Sequence, residues 1–264
     1  MNTPIYQIDA FSDHIFGGNP AAVCPLESWL PDALLMKITQ ENNLAETAFF
    51  VPLKDGQFHL RWFTPEIEMD LCGHATLASA FVIFNELDYG LDTIQFASSS
   101  GPLLVKKIGD YLELDFPKRV PVQSTLPSII AQSLSIQPLE VWKSRDYVLL
   151  YESQQDILGL KVDEQLLRQI NIDPGGIVVT APGDTVDFVS RFFTPQAKIF
   201  EDPVTGSAHC SLVPFWSERL NKVVLEAQQL SERGGFLYCS LKGERILLRG
   251  QARCFLKGEI LLPN

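Results

Sequence analysis

Apolar and polar residues alternate with a period of two through FHLRWF (58–63) and VDFVSRFF (186–193), the pattern of strands that bury one face. Both strands run into nearly the same five residues, RWFTP at 61–65 and RFFTP at 191–195. Past each copy come an acidic residue, a glycine and a run that is apolar on nearly every side. The first copy has Asp70, Gly73 and HATLASAFVIF; the second has Asp202, Gly206 and SAHCSLVPFW. A helix that is apolar all round is enclosed by other structure rather than laid on a surface. The pattern predicts an α/β (α+β) fold of two pseudo-symmetric domains, each a curved, mainly antiparallel sheet wrapped around a central helix.

Turn signals separate short β-rich runs such as AFFV, LLVKKI, YLELDF, GIVVT and RILLRG. They are GGNP (17–20), KDG (54–56), GD (109–110), DPGG (173–176), APGD (181–184) and KGE (242–244). Pro117 and Pro121 interrupt the pattern after YLELDF, which places the junction at 117. The expected domains are 1–117 and 118–264, with the last strand free to pack back on the first.

Composition narrows the function classes. The chain has 264 residues, 46% of them hydrophobic, enough for a substantial core. A formal net charge of −11 and no basic run longer than a Lys-Lys or Lys-Arg pair argue against nucleic-acid binding. An acidic surface still permits a small anionic substrate, because local dipoles hold such a ligand. No apolar run reaches the roughly 20 residues of a membrane span, and MNTPIYQIDAF lacks a secretion signal, so no membrane partner and a cytoplasmic location are expected. The five cysteines form no C-x-x-C, which fits reduced thiols.

The candidate chemistry lies where loops become helices. Gly73-His74 and Gly206-Ser207 stand at helix starts, whose unpaired N–H groups and positive dipole end can grip a carboxylate. Glycine suits such positions because no Cβ keeps a ligand from the backbone. Taken singly, His74 and Ser207 also read as ordinary first-turn or capping residues. Asp202, stiffened by Pro203, can orient a neighbour or accept a proton, and equally can cap its own turn. Glu46 precedes the apolar run AFFV, where lost hydration would favour proton exchange near neutral pH. From that segment alone, an edge-strand Glu facing water is the plainer reading. Neither Cys72/His74 nor His209/Cys210 has the spacing of a zinc site. Dinucleotide, P-loop and nucleophile-elbow signatures are absent.

Several motifs together resemble the PhzF-like phenazine-biosynthesis isomerase family. They are DAFSDHIFGGNPAAV (9–23), NLAETAFFV around Glu46, RWFTP with DLCGHATLA, EDPVTGSAH, and SERGG (231–235). The resemblance runs over nearly the whole chain and implies a diaminopimelate epimerase-like fold, a site between the domains, no cofactor and a homodimer. It implies that Glu46 shuttles a proton between carbons of a small cyclic carboxylic acid. His74 and Asp202 match supporting residues, and Gly73, Gly206 and Ser207 match substrate-holding ones. Ala45 stands where many relatives have serine. Related racemases use two cysteines; here Cys72 has no thiol partner, the matching place being taken as Pro203. The expected activity is therefore a cofactor-independent proton transfer within a small carboxylated metabolite. Epimerisation at one carbon, or a non-catalytic binding module, are the alternatives.

Overall fold

The computed structural model describes residues 2–172 and 175–262, so Asp173 and Pro174 of the DPGG turn lie outside the described residues. The chain divides into two compact units, Met1–Asp115 with Arg249–Asn264, and Phe116–Leu248. The C-terminal segment, which the sequence left free to pack back on the first domain, lies with the first unit. Its strand Ala252–Leu261 runs antiparallel along the first strand of the chain.

In the first unit, β1 (Asn2–Ala10) pairs antiparallel with β2 (Asn19–Pro25). After α1 (Asp32–Asn42), β3 (Glu46–Pro52) lies parallel to β2, and β4 (Gln57–Phe63) lies antiparallel to β3. The short β5 (Glu68–Met69) folds back on β4 and leads into α2 (Gly73–Glu86). β6 (Thr93–Ser98) returns parallel to β4, followed by antiparallel β7 (Gly101–Ile108) and β8 (Tyr111–Pro117).

The second unit repeats this order and sense of pairing. β9 (Val122–Gln123) and α3 (Ser128–Ser133) precede β10 (Glu140–Lys143), which pairs antiparallel with β11 (Tyr147–Leu150). Two short helices, α4 (Gln154–Gly159) and α5 (Glu164–Leu167), stand where the first unit has α1. β12 (Ile177–Pro182) is then parallel to β11, and β13 (Phe188–Phe193) is antiparallel to β12. β14 (Glu201–Asp202) folds back before α6 (Gly206–Leu220); β15 (Val224–Gln229) is parallel to β13, and β16 (Gly235–Lys242) and β17 (Arg245–Gly250) complete the series.

The duplicated phrase is a structural staple. Arg61 at the end of β4 makes a two-pronged ion pair with Glu68 on β5, both contacts at 2.7 Å, and lies over the Phe63 ring. Arg191 does the same with Glu201 (2.7 and 2.8 Å) over Phe193. Paired guanidinium–carboxylate bonds fix orientation as well as distance, so each β4/β5-type hairpin is set in one geometry. Thr64 and Thr194 then close the turn through their hydroxyls, which bond the carbonyls of Ile67 and Ile199. The phrase thereby aims the chain at the start of α2 or α6.

Both helices are buried on nearly every face. α2 packs against β1, β2, β3, β7 and the C-terminal strand; α6 packs against β15 and β16. α6 contains Pro214, which has no N–H to give the Cys210 carbonyl one turn back. That carbonyl instead accepts from the Arg119 N–H at 3.0 Å, so the interior proline leaves no unpaired group there. No described helix is long and apolar enough to cross a membrane.

Candidate active site

The first unit gathers four polar side chains at the start of α2. Glu46 opens β3, and because β2 and β4 flank that strand, its side chain is not at a sheet edge; it is 16% exposed. The solvent-facing reading of Glu46 is corrected on this point. Its Oε2 lies 3.0 Å from Nε2 of His74, whose side chain is 6% exposed. The two atoms are close but misaligned, and neither makes a hydrogen bond among the described residues. At the other ring nitrogen, Nδ1, stand the Asn19 amide nitrogen at 3.2 Å and the Cys72 sulfur at 3.6 Å.

The electrostatics follow from burial next to acids. Burial opposes charge on His74, but the neighbouring Cys72 and Glu46, when anionic, outweigh it and hold the imidazole pKa well above the usual histidine value. Burial, and then the Glu46 charge, push the Cys72 thiol up.

Donor atoms of Glu46, Cys72 and His74 lie within 4.8 Å of one another, the spacing of a three-ligand metal group. The sulfur and the carboxylate, however, approach opposite ring nitrogens. An ion bonds along one nitrogen's lone pair, so the sulfur and the carboxylate are not both placed to share an ion with the ring.

His74 and Ser207 are each the second residue of their helix. The capping positions belong to Cys72 and Thr205, and neither supplies a side-chain cap bond. First-turn N–H groups of both helices thus lack the usual capping side chain. Gly73 and Gly206 open the helices without a positive φ, so backbone conformation does not demand glycine at either place.

The second unit treats its expected residues differently. The Asp202 carboxylate accepts from the Thr205 hydroxyl, and the buried Gln229 amide bonds both the Asp202 carbonyl (2.7 Å) and the Thr205 hydroxyl (3.2 Å). Ser207 accepts from Arg145 at 2.9 Å, and Arg145 is paired at 3.1 Å with the fully buried Asp146. Two sequence alignments change. By register, Asp202 faces Phe192 as Met69 faces Trp62, so Asp202 and Asp70 are not counterparts. The counterpart of Cys72 is Thr205, not Pro203, because each caps its helix. No second thiol results either way.

Sequence reasoning missed Asn19, Arg145, Asp146 and Gln229. Asn19 was visible only inside the GGNP turn signal and the DAFSDHIFGGNPAAV motif, with no role of its own, and the other three stand in no motif. Their roles depend on strand partners that are remote along the chain.

The model of the phenazine biosynthesis-like protein family, PhzC-PhzF, matches residues 8–258. The chain belongs to that family. A relative named an uncharacterized isomerase from Halalkalibacterium halodurans is 47% identical over 268 residues, covering 99% of this chain and all of the relative. The crystal structure of a PhzF family protein from Enterococcus faecalis has a TM-score of 0.95 at 46% identity, covering 99% of this chain and all of that one. A hydroxyproline epimerase from Agrobacterium vitis, solved with trans-4-hydroxy-L-proline bound, shares the fold at a TM-score of 0.60 and 9% identity, over 98% of this chain and 92% of that one. The PhzF chain is thus an isomerase-family enzyme with an epimerase-like fold.

Proposed function

We propose that this PhzF-family enzyme is a cofactor-independent isomerase that moves a proton within a small carboxylated metabolite. The observation that carries the reading is the buried contact of 3.0 Å between the Glu46 carboxylate and Nε2 of His74 at the start of α2. Glu46 takes a proton from an acidic C–H, becoming a carboxylic acid, and returns it to another carbon, so no atom or electron is gained overall. His74, as imidazolium, stabilises the negative charge that develops on the substrate. First-turn N–H groups at Gly73 hold the substrate carboxylate. Asp202, Gly206 and Ser207 carry the orienting and substrate-holding roles that the family resemblance gives them.

The test is solvent exchange. A panel of small cyclic and acyclic carboxylates is incubated with the enzyme in deuterated water, and label is located by NMR. Catalytic entry of deuterium at a carbon other than the one that loses its proton supports the proposal. Entry at the same carbon with inversion supports epimerisation, the second reading, which the fold shared with the hydroxyproline epimerase favours. Saturable binding of a panel member with neither label nor conversion to an isomer would overturn both in favour of a binding module.

A further inference from the structure

We propose that Asn19 is a positioning residue for His74: its buried side-chain amide holds Nδ1 and so keeps the opposite ring nitrogen facing Glu46 in either protonation state of the ring. This rests on the reading of Glu46 and His74 as the proton-transfer pair.

Asn19 opens β2 and is fully buried. It reaches its helix partner from far along the chain, and its amide nitrogen lies 3.2 Å from Nδ1. In that orientation the amide N–H donates to Nδ1, which leaves the proton of the neutral ring on Nε2, 3.0 Å from the Glu46 carboxylate. When the ring gains a second proton, Nδ1 becomes a donor. An amide can turn over and accept through its oxygen, because its two ends differ in hydrogen-bonding sense but hardly in shape. A carboxylate at this place would lock the ring as a cation, and an aliphatic side chain would leave Nδ1 without that partner. The ionisable groups facing the ring are Glu46 from β3 and Cys72 at the start of its own helix. β2 contributes the uncharged amide.

The test reads the ring directly. Protein labelled with ¹⁵N-histidine is titrated by NMR, the four histidines being assigned with single His→Gln variants. The wild type is expected to show the Nε2–H tautomer of His74 above its midpoint. In Asn19→Asp the midpoint should rise by about 1 unit or more, the effect of a nearby carboxylate. Asn19→Ser, made in a Cys72→Ala background so that the thiol near Nδ1 cannot stand in for the amide, adds no charge and covers the case in which Asn19→Asp does not fold. It should give a mixture of ring tautomers. A wild-type midpoint in folded Asn19→Asp, or a single Nε2–H tautomer with the midpoint of Cys72→Ala alone in the Asn19→Ser double variant, overturns the proposal. The measurement needs no turnover, so its failure is distinct from a failure of the isomerase reading, which solvent exchange reports.

Discussion

The two units place one acid each on equivalent strand pairs, and they use it in opposite ways. Arg61 faces Phe49 across β3/β4, and Arg191 faces Val179 across β12/β13, so three residues further back Glu46 corresponds to Gly176. On the neighbouring strand Ala21 faces Glu46, while Asp146 stands one residue before Tyr147, which faces Ile177. The acid has changed strands between the units, and a small residue faces it each time. Asp146 is spent on structure: it is fully buried, accepts from the Gly176 N–H at 2.9 Å and pairs with Arg145. Glu46 sits beside a histidine with one oxygen that no described donor satisfies. A duplicated frame thus holds a fully bonded carboxylate in one half and one with an unsatisfied oxygen in the other.

The sharpest way to break this comparison is to remove each acid's charge. Asp146→Ala should destabilise by about 1–3 kcal/mol, because it orphans the buried Gly176 N–H and leaves the part-exposed Arg145 without its partner. Glu46→Gln should cost less than Asp146→Ala, because no described hydrogen bond depends on the lost charge and only the His74 contact is weakened. Urea unfolding checks both, and a larger loss for Glu46→Gln would reverse the assignment of structural and reactive acids.

The two buried helix histidines offer a second contrast, through pH. His209 in α6 is driven down to about 4 by burial, with its Nδ1 bonded to the Thr205 carbonyl at 2.8 Å. The unfolded chain binds that proton more readily, so stability should fall as pH drops from about 6.5 to about 4, by up to about 3 kcal/mol. His74 has the opposite sign. Its raised pKa adds stability that is complete below the ordinary histidine range and is lost as pH rises through the folded value. Chemical unfolding of His209→Leu across pH 4–7 should show less acid destabilisation than the wild type. An identical pH dependence would remove His209 from the account.

Smaller effects sharpen the frame itself. A Cβ at Gly176 would lie 2.3 Å from the Phe192 ring, so Gly176→Ala should cost about 1–3 kcal/mol through overpacking, read as a shift in the urea midpoint. The arginine staples should differ least. Arg191 also donates to the Ile157 and Leu160 carbonyls, at 3.1 and 3.0 Å, which Arg61 has no counterpart for in its bonds to Glu68 and Asp32. Arg191→Lys should therefore exceed Arg61→Lys by about 1 kcal/mol, and equal losses would deny those carbonyl bonds any net worth.

Local pattern made the frame legible. Alternation marked β4 and β13, the two RxFTP copies marked the repeat, and all-round apolar runs marked α2 and α6. Register was not legible, because it is set by partners distant in the chain. The stretch from Thr194 to Glu201 is longer than that from Thr64 to Glu68, which displaced Asp202 onto Asp70 in the sequence alignment. The burial of Glu46 depends on β2 and β4 flanking its strand, which no local segment reveals. Asn19 stood inside a turn signal and a family motif with nothing to single it out, and Asp146 lay outside every motif. The family resemblance, more than the local pattern, singled out Glu46.

The most direct measurement compares Glu46→Gln with the wild type for deuterium incorporation into whichever carboxylate the wild type labels, at matched folded concentration. A loss of about 10²–10⁴ in exchange rate with the fold intact is expected. Exchange at the wild-type rate in Glu46→Gln would contradict it.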